Sequence, residues 1–233
     1  MDYEIIQSIP VKFDAQQLSH QLHISPGSEE FFEFQRLIDT ANQIAQPKAL
    51  YRVGFIDSKT TDSVIVDGVV LKSRILRINL ETANRVFIFL ATCGSELEHW
   101  SNSINDLLAK YWADMIKETA LYRAMQVVMD RINEQYEAGK TSTMSPGSLP
   151  DFPLPAQREV FRLLDNMYQQ INVQITDSFL MIPNKTVSGI LFPTEETFRS
   201  CQLCKRPNCP NRSTPYDPSL FKQKYKKVKT SFY

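Results

Sequence analysis

The sequence is poor in several residue types, and each shortage excludes a class of protein. Its 233 residues include only 7 glycines, 4 cysteines and 3 histidines, and 26 basic side chains are balanced by 26 acidic ones. Proteins that bind nucleic acid usually carry a surplus of Lys and Arg, so the zero net charge argues against that function. No run of about 18 apolar residues is present, so no membrane-spanning helix is expected. We therefore expect a globular protein with neither a nucleic-acid nor a membrane partner.

The N-terminal segment gives an expectation about the cellular compartment. Residues 1–14 are acidic and mixed, and they lack the basic start and apolar centre of a secretory signal. We therefore expect a cytoplasmic location. Clustered cysteines in that compartment more often bind metal or react than form structural disulfides.

The first half of the chain predicts helices followed by strands. A helical part covers about residues 1–46 and includes a helix that begins after the N-cap residue Ser28. A strand is predicted at 49–56, and a hairpin follows with Asp67-Gly68 as its two-residue turn.

The second half predicts a mixture of helices and strands within a single domain that spans residues 1–233. The run 85–92 is continuously apolar, as expected for a strand buried on both faces. The remaining predictions are a long helix from near Ser95 to about residue 135, with a bend or break allowed by its length, an ordered loop at 139–157, a helix at 156–168, and strands at 173–182 and 186–192. The lysine-rich end, residues 222–229, is expected to be solvated, with docking to an acidic partner as the alternative.

Three of the four cysteines lie close together in a cysteine-rich segment of about residues 199–216. Cys201, Cys204 and Cys209 form a C-x2-C-x4-C array. Two thiols separated by two residues can converge on one ion, and both zinc and an iron–sulfur cluster accept three or four cysteine ligands. The array therefore predicts a site for zinc or an iron–sulfur cluster. A redox-active group without metal and an inert structural role stay open as alternatives.

The fourth ligand of such a site is not specified by the array itself. Cys93 is the remaining cysteine, and it follows the buried strand predicted at 85–92. In that position it either faces the array or is a small buried hydrophobic residue. We take Cys93 as the candidate fourth ligand and keep the buried alternative.

Three segments together resemble the activation, or reactivation, domain of cobalamin-dependent methionine synthase and its free-standing relatives. They are MSPGSLPDFPLPAQREVFRLLD at 144–165, DSFLMIPNKTVSGILF at 177–192 and FLATCGSELEHW at 89–100. The second is similar to the family's S-F-x-M-x-P-x-x-x-V-S-G stretch and is the most specific of the three. The resemblance covers roughly residues 45–200 and keeps the order of the segments.

The resemblance implies both a fold and a function. The implied fold is α+β, with a twisted, mainly antiparallel sheet and long helices. The implied function is that of an accessory protein that docks on a corrinoid protein or a cobalamin-dependent methyltransferase and supports the reductive remethylation of its cobalt. The partner would supply the cobalamin, and S-adenosylmethionine would supply the methyl group. Whether the chain is itself an enzyme of such a methionine synthase-like system stays open, because no residue is expected to act as a general acid or base.

The resemblance also implies where S-adenosylmethionine would bind. The implied contact residues are those of the proline-glycine loop and the V-S-G stretch, namely Ser145, Pro146, Gly147, Ser148, Ser188 and Gly189. The family's loop has the form R-x-x-P-G-Y, whereas Thr143 and Ser148 occupy the positions of its arginine and tyrosine here. These departures support an alternative function on the same fold. In that alternative, a non-catalytic module that contains zinc or an iron–sulfur cluster binds a protein partner or transfers electrons.

Overall fold

The computed structural model of the protein describes residues 2–209 and 211–226, so residues 227–229 of the lysine-rich end lie outside the described part. The strands are β1 (Tyr3–Ile6), β2 (Lys48–Lys59), β3 (Ser63–Val66), β4 (Val69–Lys72), β5 (Arg85–Thr92), β6 (Thr141–Met144), β7 (Gln174–Ile175), β8 (Met181–Ile182) and β9 (Thr186–Pro193). The α-helices are α1 (Ala15–Gln21), α2 (Glu29–Ile44), α3 (Arg74–Asn79), α4 (Ser95–Ser103), α5 (Leu107–Tyr136) and α6 (Gln157–Leu164). In the described part of the chain, no helix combines the length and apolarity needed to cross a bilayer.

Most of the strands form one sheet. Its order is β4-β3-β2-β5-β9-β6, and β1 pairs with β2 outside this path. The pairs β1–β2, β2–β3, β3–β4 and β6–β9 are all antiparallel. β7 and β8 form a separate two-stranded antiparallel sheet. The expected α+β class with a mainly antiparallel sheet is therefore confirmed.

The chain divides into two compact units, each built from three separate segments. Unit 1 consists of Met1–Arg52, Phe89–Gln135 and Leu164–Val187, and unit 2 consists of Val53–Ile88, Tyr136–Leu163 and Ser188–Tyr233. The strands β2, β5 and β9 each run without interruption from one unit into the other. That residues 1–233 behave as a single domain stays a prediction.

The core of unit 1 is built around the N-terminal helices. Apolar residues of α1, α2, α4 and α5 form one buried cluster that also includes Cys93. Phe34 of α2 and Trp112 of α5 meet edge to face, with their ring centroids 5.7 Å apart. The Ser28 hydroxyl accepts a hydrogen bond from the Phe31 N–H at 3.2 Å, so the predicted N-cap of α2 is confirmed.

The long helix predicted from Ser95 to about residue 135 is interrupted. α4 ends at Ser103, and the next residue, Ile104, is extended. Asp106 then caps α5, because its side chain accepts from the Ala109 N–H at 2.8 Å and its carbonyl accepts from the Lys110 N–H at 2.9 Å. Since Asp at an N-cap starts a new helix, the break lies where a capping residue interrupts the apolar stripe.

Unit 2 contains the predicted hairpin and one strand that was not predicted. Asp67 and Gly68 both have positive φ angles, of 44° and 76°, as a two-residue turn between β3 and β4 requires. The segment 139–157, expected to be a loop, includes the strand β6. Its alternation of half-buried and buried residues is the pattern of a strand, but four residues without a hairpin turn to a neighbouring strand are too few to stand out in the sequence.

Candidate functional site

The two stretches implied as the small-molecule site lie beside each other in unit 2. β6 and β9 pair antiparallel with Met144 opposite Ile190. The next residue after β6 is Ser145, and the residue before Ile190 is Gly189, so the loop leaves the sheet alongside Gly189.

The four residues of the proline-glycine loop form one tight turn. The Ser148 N–H donates to the carbonyl of Ser145 at 3.1 Å, and the Ser148 hydroxyl donates to the same carbonyl at 2.6 Å. Gly147 has a φ of 82°, the value of the third residue in a type II turn, and Pro146 precedes it as such turns favour. The Gly147 N–H also donates to the carbonyl of Phe152 at 2.7 Å. The loop is therefore ordered, as the sequence predicted.

Ser188 and Gly189 are buried rather than open to a ligand. Ser188 is only 1% exposed, and its hydroxyl accepts a hydrogen bond from the buried side chain of Gln157 at 2.6 Å. Gly189 is also buried. The hydrogen bond between Ser188 and Gln157 joins β9 to α6 within unit 2. Contact of Ser188 and Gly189 with a small molecule stays a prediction.

A cavity of about 750 Å³ opens in unit 2 and brings together residues from two of the predicted motifs. Ser148 comes from the proline-glycine turn, and Cys204 comes from the cysteine-rich segment. We call this space the unit-2 cavity. Its described lining residues are Ile75, Ser148, Leu149, Pro150, Asp151, Leu203, Cys204, Lys205, Tyr216, Pro218, Phe221 and Lys222.

The lining of the unit-2 cavity combines apolar surface with positive charge. Tyr216 and Phe221 are 39% and 51% exposed, so each presents part of an aromatic ring to solvent. Lys205 and Lys222 contribute two ammonium groups. A ligand that joins an aromatic ring to an anionic group matches this lining.

Asp151 has a structural function at the edge of the same cavity. Its Oδ2 accepts from the Ile75 N–H at 2.9 Å and from the Ser73 hydroxyl. Ser73 is the N-cap of α3 and accepts from the Leu76 N–H at 3.0 Å. Asp151 therefore ties the loop after the turn to the start of α3.

A single arginine organises the cysteine-rich segment. The Arg212 guanidinium donates to the carbonyls of Cys201 at 3.1 Å, Cys204 at 3.3 Å and Arg206. The Ser200 hydroxyl lies 3.3 Å from the Ser148 hydroxyl, which links the segment to the proline-glycine turn. The segment is therefore folded against the turn.

The three clustered thiols differ in their surroundings. Cys201, Cys204 and Cys209 are each free and half-buried. The Ser213 hydroxyl lies 3.5 Å from the sulfur of Cys201, and this hydrogen bond lowers the pKa of the Cys201 thiol.

The predicted metal site is not supported by the structure. Across residues 2–209 and 211–226, no group of three or more His, Cys, Asp or Glu side chains is placed to hold a metal ion. Cys93, the candidate fourth ligand, is fully buried in the apolar core of unit 1, and its thiol lies 3.6 Å from the Gly94 carbonyl. Burial raises the pKa of the Cys93 thiol to about 12. Cys93 thus has the environment of a small buried hydrophobic residue, the alternative that the sequence left open.

Unit 1 contains a second cavity, of about 790 Å³, which the sequence did not predict. Its polar lining comes from the first turns of α4 and from residues 168–175, and it includes Ser95, Glu98, His99, Tyr168, Gln169 and Asn172. The carboxylate of Glu98 also pairs with the buried Lys117 at 3.0 Å. The polar lining residues come from distant segments and have no recognisable spacing in the sequence, so the sequence does not predict this cavity.

Most of the residues that line the unit-2 cavity could not be predicted from the sequence either. Sequence reasoning identified Ser148 and Cys204 but missed Tyr216, Phe221 and Lys222. The one signal available for them is the mixture of basic and aromatic residues between 216 and 226, which is too common to be specific.

Comparison with known proteins supports the fold that the resemblance implied. No family model matches the sequence, and no curated protein matches it. Among solved structures, the protein is similar to the crystal structure of the MetH reactivation domain bound to AdoHcy. The TM-score is 0.60 at 14% sequence identity, and the match covers 85% of this chain and 81% of the other. The chain therefore has the fold of that reactivation domain, and at this identity the likeness concerns the fold alone.

Proposed function

We propose that the protein is a cytoplasmic accessory protein that acts on a corrinoid protein and supports the reactivation of its cobalt. The observation that carries this proposal is the shared fold with the MetH reactivation domain, together with a cavity beside the proline-glycine turn. The corrinoid protein is the substrate, so the cobalamin belongs to the partner.

We infer further that S-adenosylmethionine binds in the unit-2 cavity. The similar solved domain is bound to AdoHcy, the product that S-adenosylmethionine leaves after giving up its methyl group. The aromatic rings of Tyr216 and Phe221 suit stacking with an adenine, and Lys205 and Lys222 suit the carboxylate of the amino-acid end. The arginine of the family's R-x-x-P-G-Y loop is suited to holding a carboxylate by two parallel charge-assisted bonds, and Thr143 cannot do so, so these lysines would bind that carboxylate instead.

The protein has to bind S-adenosylmethionine and orient it toward the cobalt of the partner. The cobalt of the partner gains one electron from an external reductant and then takes the methyl group from the sulfonium, which releases S-adenosylhomocysteine. No proton needs to move, so no side chain of this chain has to act as an acid or a base. The contribution of the cavity is to hold the sulfonium methyl group in line with the approaching cobalt.

One experiment tests both the partner and the methyl donor. The purified protein is mixed with a divalent-cobalt corrinoid protein, S-adenosylmethionine and a low-potential reductant, and the absorption of methylcobalt is followed. We expect methylcobalt to form only when all components are present. Absence of methylcobalt, together with no calorimetric binding of S-adenosylhomocysteine, would contradict the proposal.

Substitution of the cavity lysines tests where the ligand binds. We expect Lys205→Ala and Lys222→Ala to weaken S-adenosylhomocysteine binding by roughly tenfold each, the effect of losing one charge-assisted hydrogen bond. Lys140→Ala is the matched control, because Lys140 is an exposed lysine of the same unit outside the cavity lining. Equal losses in all three variants would show that charge in general, and not the cavity, attracts the ligand.

The alternative function is a non-catalytic module that binds a protein partner. It is favoured by Ser148, which stands where the family has a tyrosine and whose hydroxyl is bonded to the Ser145 carbonyl. This alternative predicts that the protein binds the corrinoid protein but not S-adenosylhomocysteine, a combination that calorimetric titration of the protein with each of the two would reveal.

A further inference from the structure

Cys201 and Cys204 lie at the two ends of one tight turn. The Cys204 N–H donates to the carbonyl of Cys201 at 3.3 Å, and the residues between them belong to the short 3₁₀ turn Ser200–Gln202 and to Leu203. A turn closed in this way brings its end Cα atoms within about 7 Å. Disulfides span Cα separations of about 4.4–6.8 Å, a range that a turn of this kind reaches, so the backbone permits a bond between the two cysteines.

The two thiols are also accessible, and their environments differ. Both are half-buried, whereas Cys93 is fully buried. The sulfur of Cys201 has the Ser213 hydroxyl as a donor, and the guanidinium of Arg212 is bonded to the backbone of the same turn. Donors and positive charge beside a sulfur favour nucleophilic attack by that sulfur, which assigns the attacking position to Cys201.

We propose that Cys201 and Cys204 form a reversible dithiol–disulfide site that exchanges with small-molecule disulfides and alters the unit-2 cavity as it does so. Thiol–disulfide exchange itself requires no metal.

The exchange balances in two steps. The Cys201 thiolate attacks one sulfur of a small disulfide, which forms a mixed disulfide and releases one small thiolate. Cys204 then loses its proton to solvent, and its thiolate attacks the Cys201 sulfur and displaces the second small thiolate. In sum, two protein thiols become one disulfide, and the small disulfide is reduced to two thiols.

The cavity responds because Cys204 is part of its wall. Leu203, Cys204 and Lys205 line the cavity in succession. The carbonyl of Gln202 accepts from the Asp217 N–H at 2.9 Å, which connects the turn to the lining residues Tyr216 and Pro218 on either side of Asp217 in the sequence. Drawing the Cys204 sulfur toward Cys201 therefore changes a wall that is tied to the rest of the lining.

The test uses the full chain and oxidised glutathione. After incubation at neutral pH, remaining thiols are alkylated and the protein is mapped by mass spectrometry. We expect a Cys201–Cys204 bond, a free Cys209 and an unreacted Cys93. In the Cys204→Ser variant we expect glutathione to stay attached to Cys201, because the second attack is removed. In the Cys201→Ser variant we expect modification at least about tenfold slower, since the activated thiol is missing.

Two controls separate this site from general thiol reactivity. Cys209→Ser keeps the C-x2-C pair and should react at the rate of the unaltered protein. Ser213→Ala should slow the first step while leaving the same final bond. A bond that involves Cys209, glutathione attached to Cys209 in Cys204→Ser, or thiols that are protected by stoichiometric zinc or iron would each overturn the proposal.

The effect on the cavity has its own measurement. Hydrogen–deuterium exchange at residues 148–151 and 203–205 should differ between the reduced and oxidised proteins, and unchanged exchange would overturn the coupling. A change in S-adenosylhomocysteine affinity is expected as well, and this part rests on the proposed function. If neither form binds that ligand, the proposed function fails while the bond and the exchange difference still decide the dithiol site.

Discussion

Lys117 places a positive charge in the interior of unit 1. It is 3% exposed, and its ammonium group donates to Glu98 at 3.0 Å and to Asn184 at 2.9 Å. An ion taken out of water at this depth is tolerated only when its partners replace the lost hydration. Each charge of the Lys117–Glu98 pair therefore stabilises the other, because either one alone would be buried without compensation.

Lys117→Ala should lower the free energy of unfolding by about 3–5 kcal/mol, because it leaves the carboxylate of Glu98 buried without its partner. Urea unfolding followed by circular dichroism measures the change. The control is Arg131→Ala, which breaks the exposed Arg131–Glu4 pair at 3.8 Å and should cost less than about 1 kcal/mol.

The double variant Lys117→Met with Glu98→Leu tests whether the unpaired charge causes this loss of stability. Apolar replacements of similar size remove both charges, so most of the lost stability should return. If the double variant is as unstable as Lys117→Ala, packing rather than the unpaired charge accounts for the loss.

At the residue scale, local signals were predictable and distant pairings were not. Ser28 could be identified as an N-cap because a cap depends on the next three residues alone. Lys117 lies within the apolar stripe of a helix. The residues adjacent to it in the sequence do not indicate that its ammonium group will bind Glu98 and Asn184. For the same reason, Ser148 and Cys204 were identified as site residues from their own motifs, but their common cavity was not foreseen.

At the scale of elements, a helix or strand could be predicted where the sequence has a strong apolar or turn pattern. The apolar run of β5 and the Asp67-Gly68 turn each stand out in the sequence, and both are confirmed. β1 and β6 have four residues each, as β3 and β4 do, but no two-residue turn such as Asp67-Gly68 joins them to a partner strand, so their few alternations are not recognised. These short strands exist because the sheet supplies their hydrogen-bond partners, which is information that the segment itself lacks.

The start of α4 depends on Gly94. This residue has φ 94° and ψ 149°, a conformation that is essentially confined to glycine. A Cβ at this position would also collide with the backbone carbonyl oxygen of Gln46. Strand β5 can pass directly into helix α4 because glycine meets both conditions.

Gly94→Ala should therefore destabilise the protein by more than the roughly 1–3 kcal/mol of backbone strain, because the collision adds to it. Thermal and urea unfolding measure the loss. Gly27→Ala is the matched control, since Gly27 also has a positive φ, of 83°, but no atom lies within 4 Å of the added Cβ. The two substitutions should differ clearly, and equal losses would mean that strain alone is responsible.

At the scale of the whole molecule, the resemblance of three segments was enough to give the fold class. The segments kept their order along the chain, and the shared fold with the MetH reactivation domain confirms what that order implied. The site was only half predictable, because the turn at 145–148 lies in the resembling region whereas Tyr216 and Phe221 lie beyond it. The residues that complete the cavity follow the end of the recognisable pattern at about residue 200.

The two units provide a test of whether the chain unfolds as one domain. Both tryptophans, Trp100 and Trp112, belong to unit 1, so tryptophan fluorescence reports on that unit, whereas far-ultraviolet circular dichroism reports on the whole chain. Each unit is built from three segments that alternate along the chain, so unfolding of one unit releases the ends of the segments that build the other. We therefore expect the two signals to change at the same urea concentration, as a two-state transition requires. A fluorescence midpoint separated from that of circular dichroism would show instead that the units are independent domains, and the single-domain prediction would then be wrong.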